Sequence, residues 1–196
     1  MKKIPCLLQR EFYTDHTFKL LEDKITPGCE WVLDGEGIAT EKFDGTACMI
    51  LNGELYKRYD CKNGKQPPIN SIPCQDPDPI TGHWPHWVKV DRTKNEDKWY
   101  IEAWDRLNVT SQLYQKYIQD GTYELCGPHF QSNPYKYNFD IFRKHGSVIL
   151  NDVPRTIDGI KKYLETHYIE GIVFHKCDTD NTMCKIRRKD FGFEWK

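Results

Sequence analysis

The dipeptide Asn52-Gly53 constrains the fold of this chain more than any other feature. It separates residues 46–51, TACMIL, from residues 54–59, ELYKRY, two runs rich in β-branched, aromatic and apolar residues. Asn-Gly is the pair best suited to the two left-handed positions of a two-residue hairpin turn, so the two runs are predicted to be antiparallel neighbours. Just upstream, GIATEKF (37–43) reads as a further strand broken from TACMIL by Asp44-Gly45, giving the expectation of an antiparallel meander with Lys42 near a strand end.

Residues 63–86 carry prolines at 67, 68, 73, 77, 79 and 85, which deny regular structure and predict a long loop, with GHWPHW as a packed aromatic segment of it. RLNVTSQLYQKYIQ has helical spacing at Leu107, Leu113, Tyr114 and Tyr117 and a stop at Asp120-Gly121; GTYELCG then reads as a buried strand. A second helix fits TIDGIKKYLETHY, followed by strands EGIVFH and TMCKIRR. The class is α+β with antiparallel pairing, and without a repeat or linker the 196 residues are expected to form one domain, 1–196.

A composition of 29% charged, 38% hydrophobic and 13% aromatic residues excludes a disordered chain. The net charge of −1 excludes a globally basic surface, so any nucleic-acid contact would be a local groove, drawing on Lys57, Arg58, Lys62 and Lys65 or on Lys185, Arg187, Arg188 and Lys189. No apolar run approaches the ~20 residues of a membrane span, and MKKIPCLLQREFY has basic residues but too short an apolar core to be expected as a signal peptide; a cytoplasmic or nuclear location is expected, with no membrane partner. For such a chain the eight cysteines read as free thiols. Cys74, His83 and His86 lack the fourth donor of a zinc site.

Lysine is a nucleophile only when neutral, and its reference pKa near 10.4 keeps it charged at neutral pH unless burial, a metal or nearby cations intervene. Lys185 and Arg187, two apart on a strand, point to one face and could clamp an anion such as phosphate. Glu124 and Glu170 each sit in an apolar strand, where a carboxylate needs a partner: a cation, a sugar hydroxyl or a metal. Each residue also has a plain structural reading, as a solvated lysine, a strand-edge cation or half of a salt bridge.

In order along the chain, EKFDG, the arginine of YKRYD, YELCG, EGIVF and KIR resemble the motifs of the covalent nucleotidyltransferases, the ATP-dependent RNA and DNA ligases and mRNA capping enzymes. Five pieces in one order, spanning residues 37–187, are far more specific than any one. GEGIATEKFDGTAC, PDPITGHWPHW and KIRRKDFGFEW are most similar to small RNA ligases related to the vertebrate 5′-3′ RNA ligase.

That resemblance implies an ATP-grasp-like adenylation fold, with the nucleotide in a cleft between antiparallel sheets; as a departure from the many members that carry one, no C-terminal OB-fold or other accessory domain is expected here, which counts against the capping-enzyme and DNA-ligase readings. It implies that Lys42 attacks the α-phosphate of ATP to form lysyl-AMP, that AMP passes to an RNA 5′-phosphate, and that an RNA 3′-hydroxyl displaces it, the chemistry of RNA repair. Lys185 and Arg187 would act on the α-phosphate, Arg58 on phosphate or sugar and Glu124 on the ribose, and of the aromatics in YNFDIF Phe139 first, or Phe142 second, would stack on the base unless it is a core aromatic. Glu41 and Asp44 would line the nucleotide site, and Glu170 would bind Mg²⁺ or Mn²⁺, which with the cations would keep Lys42 neutral. Trp84 and Trp87 are available for stacking on single-stranded RNA or for packing. A GTP-dependent capping guanylyltransferase and a non-catalytic nucleic-acid-binding module of the same fold remain as alternatives.

Overall fold

The computed structural model describes residues 2–14, 17–79, 81–113 and 117–195. Strands β1 (Leu8–Phe12), β2 (Phe18–Ile25), β3 (Ile38–Lys42), β4 (Thr46–Leu51), β5 (Glu54–Cys61), β6 (Ile72–Pro73) and β7 (Trp84–Lys89) precede helix α1 (Lys98–Leu113). Strands β8 (Gly121–Cys126) and β9 (Ile141–Lys144), helix α2 (Ile157–Thr166), and strands β10 (Gly171–His175) and β11 (Met183–Arg187) follow. All pairings between these strands are antiparallel, so the α+β expectation stands. No helix among the described residues is long and apolar enough to cross a membrane.

The chain divides into two compact units, one of residues 1–3 and 44–145, the other of residues 4–43 and 146–196. In the first, a six-stranded sheet runs β6-β7-β5-β4-β8-β9. Its β4–β5 hairpin turns on Asn52 and Gly53, at φ 52° and 74° as the dipeptide predicts, and the Asp120 carboxylate accepts from the Asn52 N–H at 3.0 Å. Alternation sends Cys48, Ile50, Leu55, Tyr123 and Leu125 to one face, where they bury against Ala103, Tyr100, Trp104 and Leu107 of α1. Helix α1 therefore begins earlier than its expected start at residue 106, because the aromatic residues between 99 and 104 supply that face. Its described part ends at Leu113; Tyr114 lies outside the described residues, and residues 117–120 are not helical. The proline-rich stretch is less irregular than expected: Trp84–Lys89 pairs with β5 along six residues, and Pro85 lies opposite Asp60.

In the second unit, a three-stranded sheet runs β11-β10-β3. Ala39, Ile172, Phe174, Cys184 and Ile186 line its buried face and pack with Leu7, Leu8, Val32 and the α2 residues Ile160 and Leu164. Helix α2 starts where Thr156 Oγ1 accepts from the Gly159 N–H at 3.2 Å, a side-chain N-cap. The meander expectation fails here: β3 pairs with β10 rather than with β4. The alternating pattern of residues 37–43 fixes which face is buried but not which strand lies alongside. The cysteine expectation fails for one pair, since Cys29 and Cys184 form a disulfide with Cα atoms 6.1 Å apart. A sequence separation of 155 residues hid that pairing; Cys6, Cys48, Cys61, Cys74, Cys126 and Cys177 keep their thiols outside any disulfide.

Candidate nucleotidyl-transfer site

The residues singled out by sequence divide between the units: Glu41, Lys42, Glu170, Lys185 and Arg187 lie in the second, and Asp44, Arg58, Glu124 and Phe139 in the first.

In the second unit the sheet register builds the site. Gly171 of β10 is the partner of Lys42 on β3 and of Arg187 on β11, so one rung crosses all three strands. Strands about 4.8 Å apart place the Lys42 and Arg187 Cα atoms roughly 10 Å apart with side chains on the same face. Lys185, two residues before Arg187, shares that face. Between them stands a residue that must be glycine, because a Cβ on Gly171 would lie 2.3 Å from the Ile186 carbonyl oxygen. Glu41 alternates to the opposite face, opposite Ile172, away from the cations.

Glu170, immediately before β10, is 5% exposed, and its Oε2 forms an ion pair with Lys42 Nζ. Lys42 Nζ also donates to the Phe43 carbonyl at 3.3 Å. Burial, then the charges of Lys42 and Arg187, hold the Lys185 pKa down to about 8. Arg187 is aimed by a residue that sequence reasoning missed: Asp190, 6% exposed, accepts from Arg187 N at 2.9 Å, from its Nε at 3.2 Å and from its NH2 at 2.8 Å. Burial alone would raise the Asp190 pKa, but the hydrogen bond and charge of Arg187, then Arg10, hold it below the ordinary carboxylate value. An aspartate three residues beyond Arg187 at a helical turn is the capping spacing, a signal the sequence did contain.

No cluster of three or more His, Cys, Asp or Glu side chains that could hold a metal occurs among the described residues. Mg²⁺ needs no such cage, since it commonly binds through one or two carboxylates plus substrate phosphates and waters. The Glu170 carboxylate is an oxygen donor of the kind such an ion takes.

In the first unit, Glu124 on β8 is held from both oxygens: Oε1 accepts from the Gly45 N–H at 3.1 Å, and Oε2 lies 2.9 Å from His145 Nε2. His145 carried no sequence signal. The Asp44 N–H donates to the Tyr135 hydroxyl at 2.8 Å, so both amides of the Asp-Gly turn are engaged. Glu124 is opposite Ala47 on β4 and Arg143 on β9, on the sheet face away from α1. Arg58, on β5 opposite Trp87, alternates to that same face. Phe139 is 48% exposed with the Arg106 guanidinium 4.9 Å from its ring centroid, whereas Phe142 packs edge-on against Trp104 and Tyr123. Trp87 is 2% exposed and so a packing residue; Trp84 donates its Nε1 to the Gln75 carbonyl at 2.8 Å.

No protein-family model matches the chain. It is similar to a protein named RNA ligase 1 from Rattus norvegicus, 23% identical over 270 aligned positions covering 99% of this chain and 82% of that one. It is also similar to RNA ligase 1 from Danio rerio, 25% identical over 223 positions covering 80% of this chain and 68% of the relative.

Proposed function

We propose that this chain is an ATP-dependent RNA ligase of the covalent nucleotidyltransferase superfamily, working through a lysyl-AMP intermediate as a single adenylyltransferase domain. The distant relatives named RNA ligase 1 support a ligase role in general. The observation that carries the finer reading is the rung Lys42–Gly171–Arg187, with Lys185 on the same face and Glu170 on the lysine.

Transfer of a nucleotidyl group is mostly alignment and charge neutralisation. In this reading Lys185 and Arg187 bind the α-phosphate oxygens. Lys42 loses one proton to solvent water, which leaves the Glu170 carboxylate ionised; its nitrogen bonds to the α-phosphorus and sheds a second proton as the bond to the β-phosphate oxygen breaks and pyrophosphate leaves. For the residues of the first unit the roles are those that the resemblance implies: Glu124 accepts from ribose hydroxyls, Arg58 contacts phosphate or sugar, Phe139 stacks on a base, and Asp44 shapes the turn that follows Phe43. Mg²⁺ or Mn²⁺ bound through Glu170 would neutralise phosphate charge. An RNA 5′-phosphate then takes AMP from the lysine, and an RNA 3′-hydroxyl attacks that adenylate to seal the strand and release AMP.

The test is incubation with ATP or GTP labelled on the α-phosphate, followed by 5′-phosphorylated RNA. The reading requires label on the protein from ATP, its transfer to the RNA end, and joined product with free AMP. Label from GTP alone would replace it with a capping-type guanylyltransferase. RNA binding without any label, unchanged in Lys42→Ala, would replace it with a binding module.

A further inference from the structure

We infer that Arg10, on the first strand and outside every motif of the nucleotidyl-transfer reading, is a phosphate-binding residue that forms a two-guanidinium fork with Arg187 across Asp190. This assignment rests on that reading and extends it.

The geometry begins at one oxygen. Arg10 NH2 and Arg187 NH2 each lie 2.8 Å from Asp190 Oδ1, so the two guanidiniums stand side by side at a spacing one phosphoryl group can span. The Asp190 side chain is fully buried, whereas the two arginine side chains keep 17% and 16% of their surface. The carboxylate is thus the fixed post, and the arginines are the accessible groups. Guanidinium forks match phosphate oxygens in shape as well as charge.

Arg10 is also held before any ligand arrives. Its guanidinium lies 4.5 Å over the Phe18 ring of β2, and its NH2 is 3.2 Å from Cys6 Sγ, which in turn lies 3.6 Å from Asp190 Oδ2. The segment leading into β1 is bonded to the strand that carries the other cations: Leu7 N–H donates to the Lys185 carbonyl at 2.7 Å, and Lys185 N–H donates to the Pro5 carbonyl at 2.9 Å. Arg10 is therefore positioned by the same strand that presents Lys185 and Arg187.

Charge completes the argument. Arg10, Lys42, Lys185 and Arg187 supply four cations, against the carboxylates Glu170 and Asp190. Gathering like charges in a partly buried site is unfavourable unless an anion joins them. Burial lowers the Lys185 pKa most, and the charges of Lys42, Arg187 and Arg10 lower it further. An anion with more than one charge would relieve that repulsion, and a phosphoryl group is the anion this reaction brings, either in the nucleotide's phosphate chain or at the RNA 5′ end.

The test measures binding by calorimetry on the full chain, with inorganic tripolyphosphate as one probe and a 5′-phosphorylated oligoribonucleotide against its 5′-hydroxyl counterpart as the other. Arg10→Met should weaken at least one probe about tenfold, the cost of a charge-assisted contact. Loss on tripolyphosphate assigns the fork to the nucleotide, and loss of the preference for the 5′-phosphorylated RNA assigns it to the RNA end. Arg10→Lys, which keeps a cation beside Asp190 and so guards against a folding defect, should recover part of the loss. Wild-type affinity of both variants for both probes would overturn the assignment, and if Lys42 still acquires AMP, it would leave the ligase reading standing. Binding of neither probe by the unmodified protein, with no AMP transfer, would remove both.

Discussion

Lys42 and Lys57 make an instructive pair. Each projects from a strand, each is about a fifth exposed, and each forms an ion pair with a buried carboxylate of its own unit, Glu170 and Asp97 respectively. Their surroundings differ in sign. Lys57 meets a second carboxylate, Glu96, at 3.0 Å, and Asp97 also fixes a loop by accepting from the Asp91 N–H at 2.8 Å. Burial works to lower the Lys57 pKa, but the hydrogen bonds that Lys57 donates to Asp97 and Glu96 and their charges outweigh it and raise the pKa. Lys42 shares its sheet face with Lys185 and Arg187 instead. A lysine among carboxylates is held as a cation and serves structure, whereas a lysine that shares its sheet face with other cations stands where an anion can be received.

The difference is broken most severely at the chemical step. Lys42→Ala should abolish AMP transfer by at least about a thousandfold, the scale expected for removing a nucleophile, while Lys57→Ala should keep near-normal transfer per folded molecule; labelling rates measure both. Stability should show the reverse order. Lys57→Met leaves Asp97 buried without its cation and should cost ~3 kcal/mol in urea unfolding, and Lys42→Met should cost less, since it also removes the repulsion between Lys42 and Lys185.

A third effect is confined to the Lys42 unit. Reducing the Cys29–Cys184 disulfide should cost ~2–3 kcal/mol and speed amide exchange along β11, with protection of β5 around Lys57 unchanged. The smallest effect is a pH dependence. Lys185 has a folded pKa of about 8 against an ordinary 10.5, so the unfolded chain binds more protons across that window and stability rises with pH through it. Below pH 8 the penalty is fully present. Lys185→Met should therefore stabilise the protein at pH 7 by ~1–2 kcal/mol, allowing for partial solvent screening, and flatten the rise between pH 8 and 10.5.

Local signals account for what the sequence revealed. Asn52-Gly53 specified the β4–β5 turn, and alternation specified that Lys185 and Arg187 share a face. Strand partners were hidden, because period-two patterns do not encode them: β3 crosses to β10, and that exchange is what puts Lys42 on a rung with Arg187. Strands β1 and β2 were not anticipated, and Arg10 went unnoticed with them. Lys57 looked like one of a basic group with Arg58, Lys62 and Lys65, yet its acidic partners lie 39 and 40 residues away. His145 binds Glu124 only because β9 runs beside β8, a contact that no spacing rule supplies.

The most direct test is peptide mass mapping of the protein after exposure to ATP and Mg²⁺. The account predicts one AMP adduct, acid-labile as a phosphoramidate should be, on the peptide containing Lys42. An adduct on Lys57 or Lys185, or an unmodified protein that nonetheless joins RNA, would contradict it.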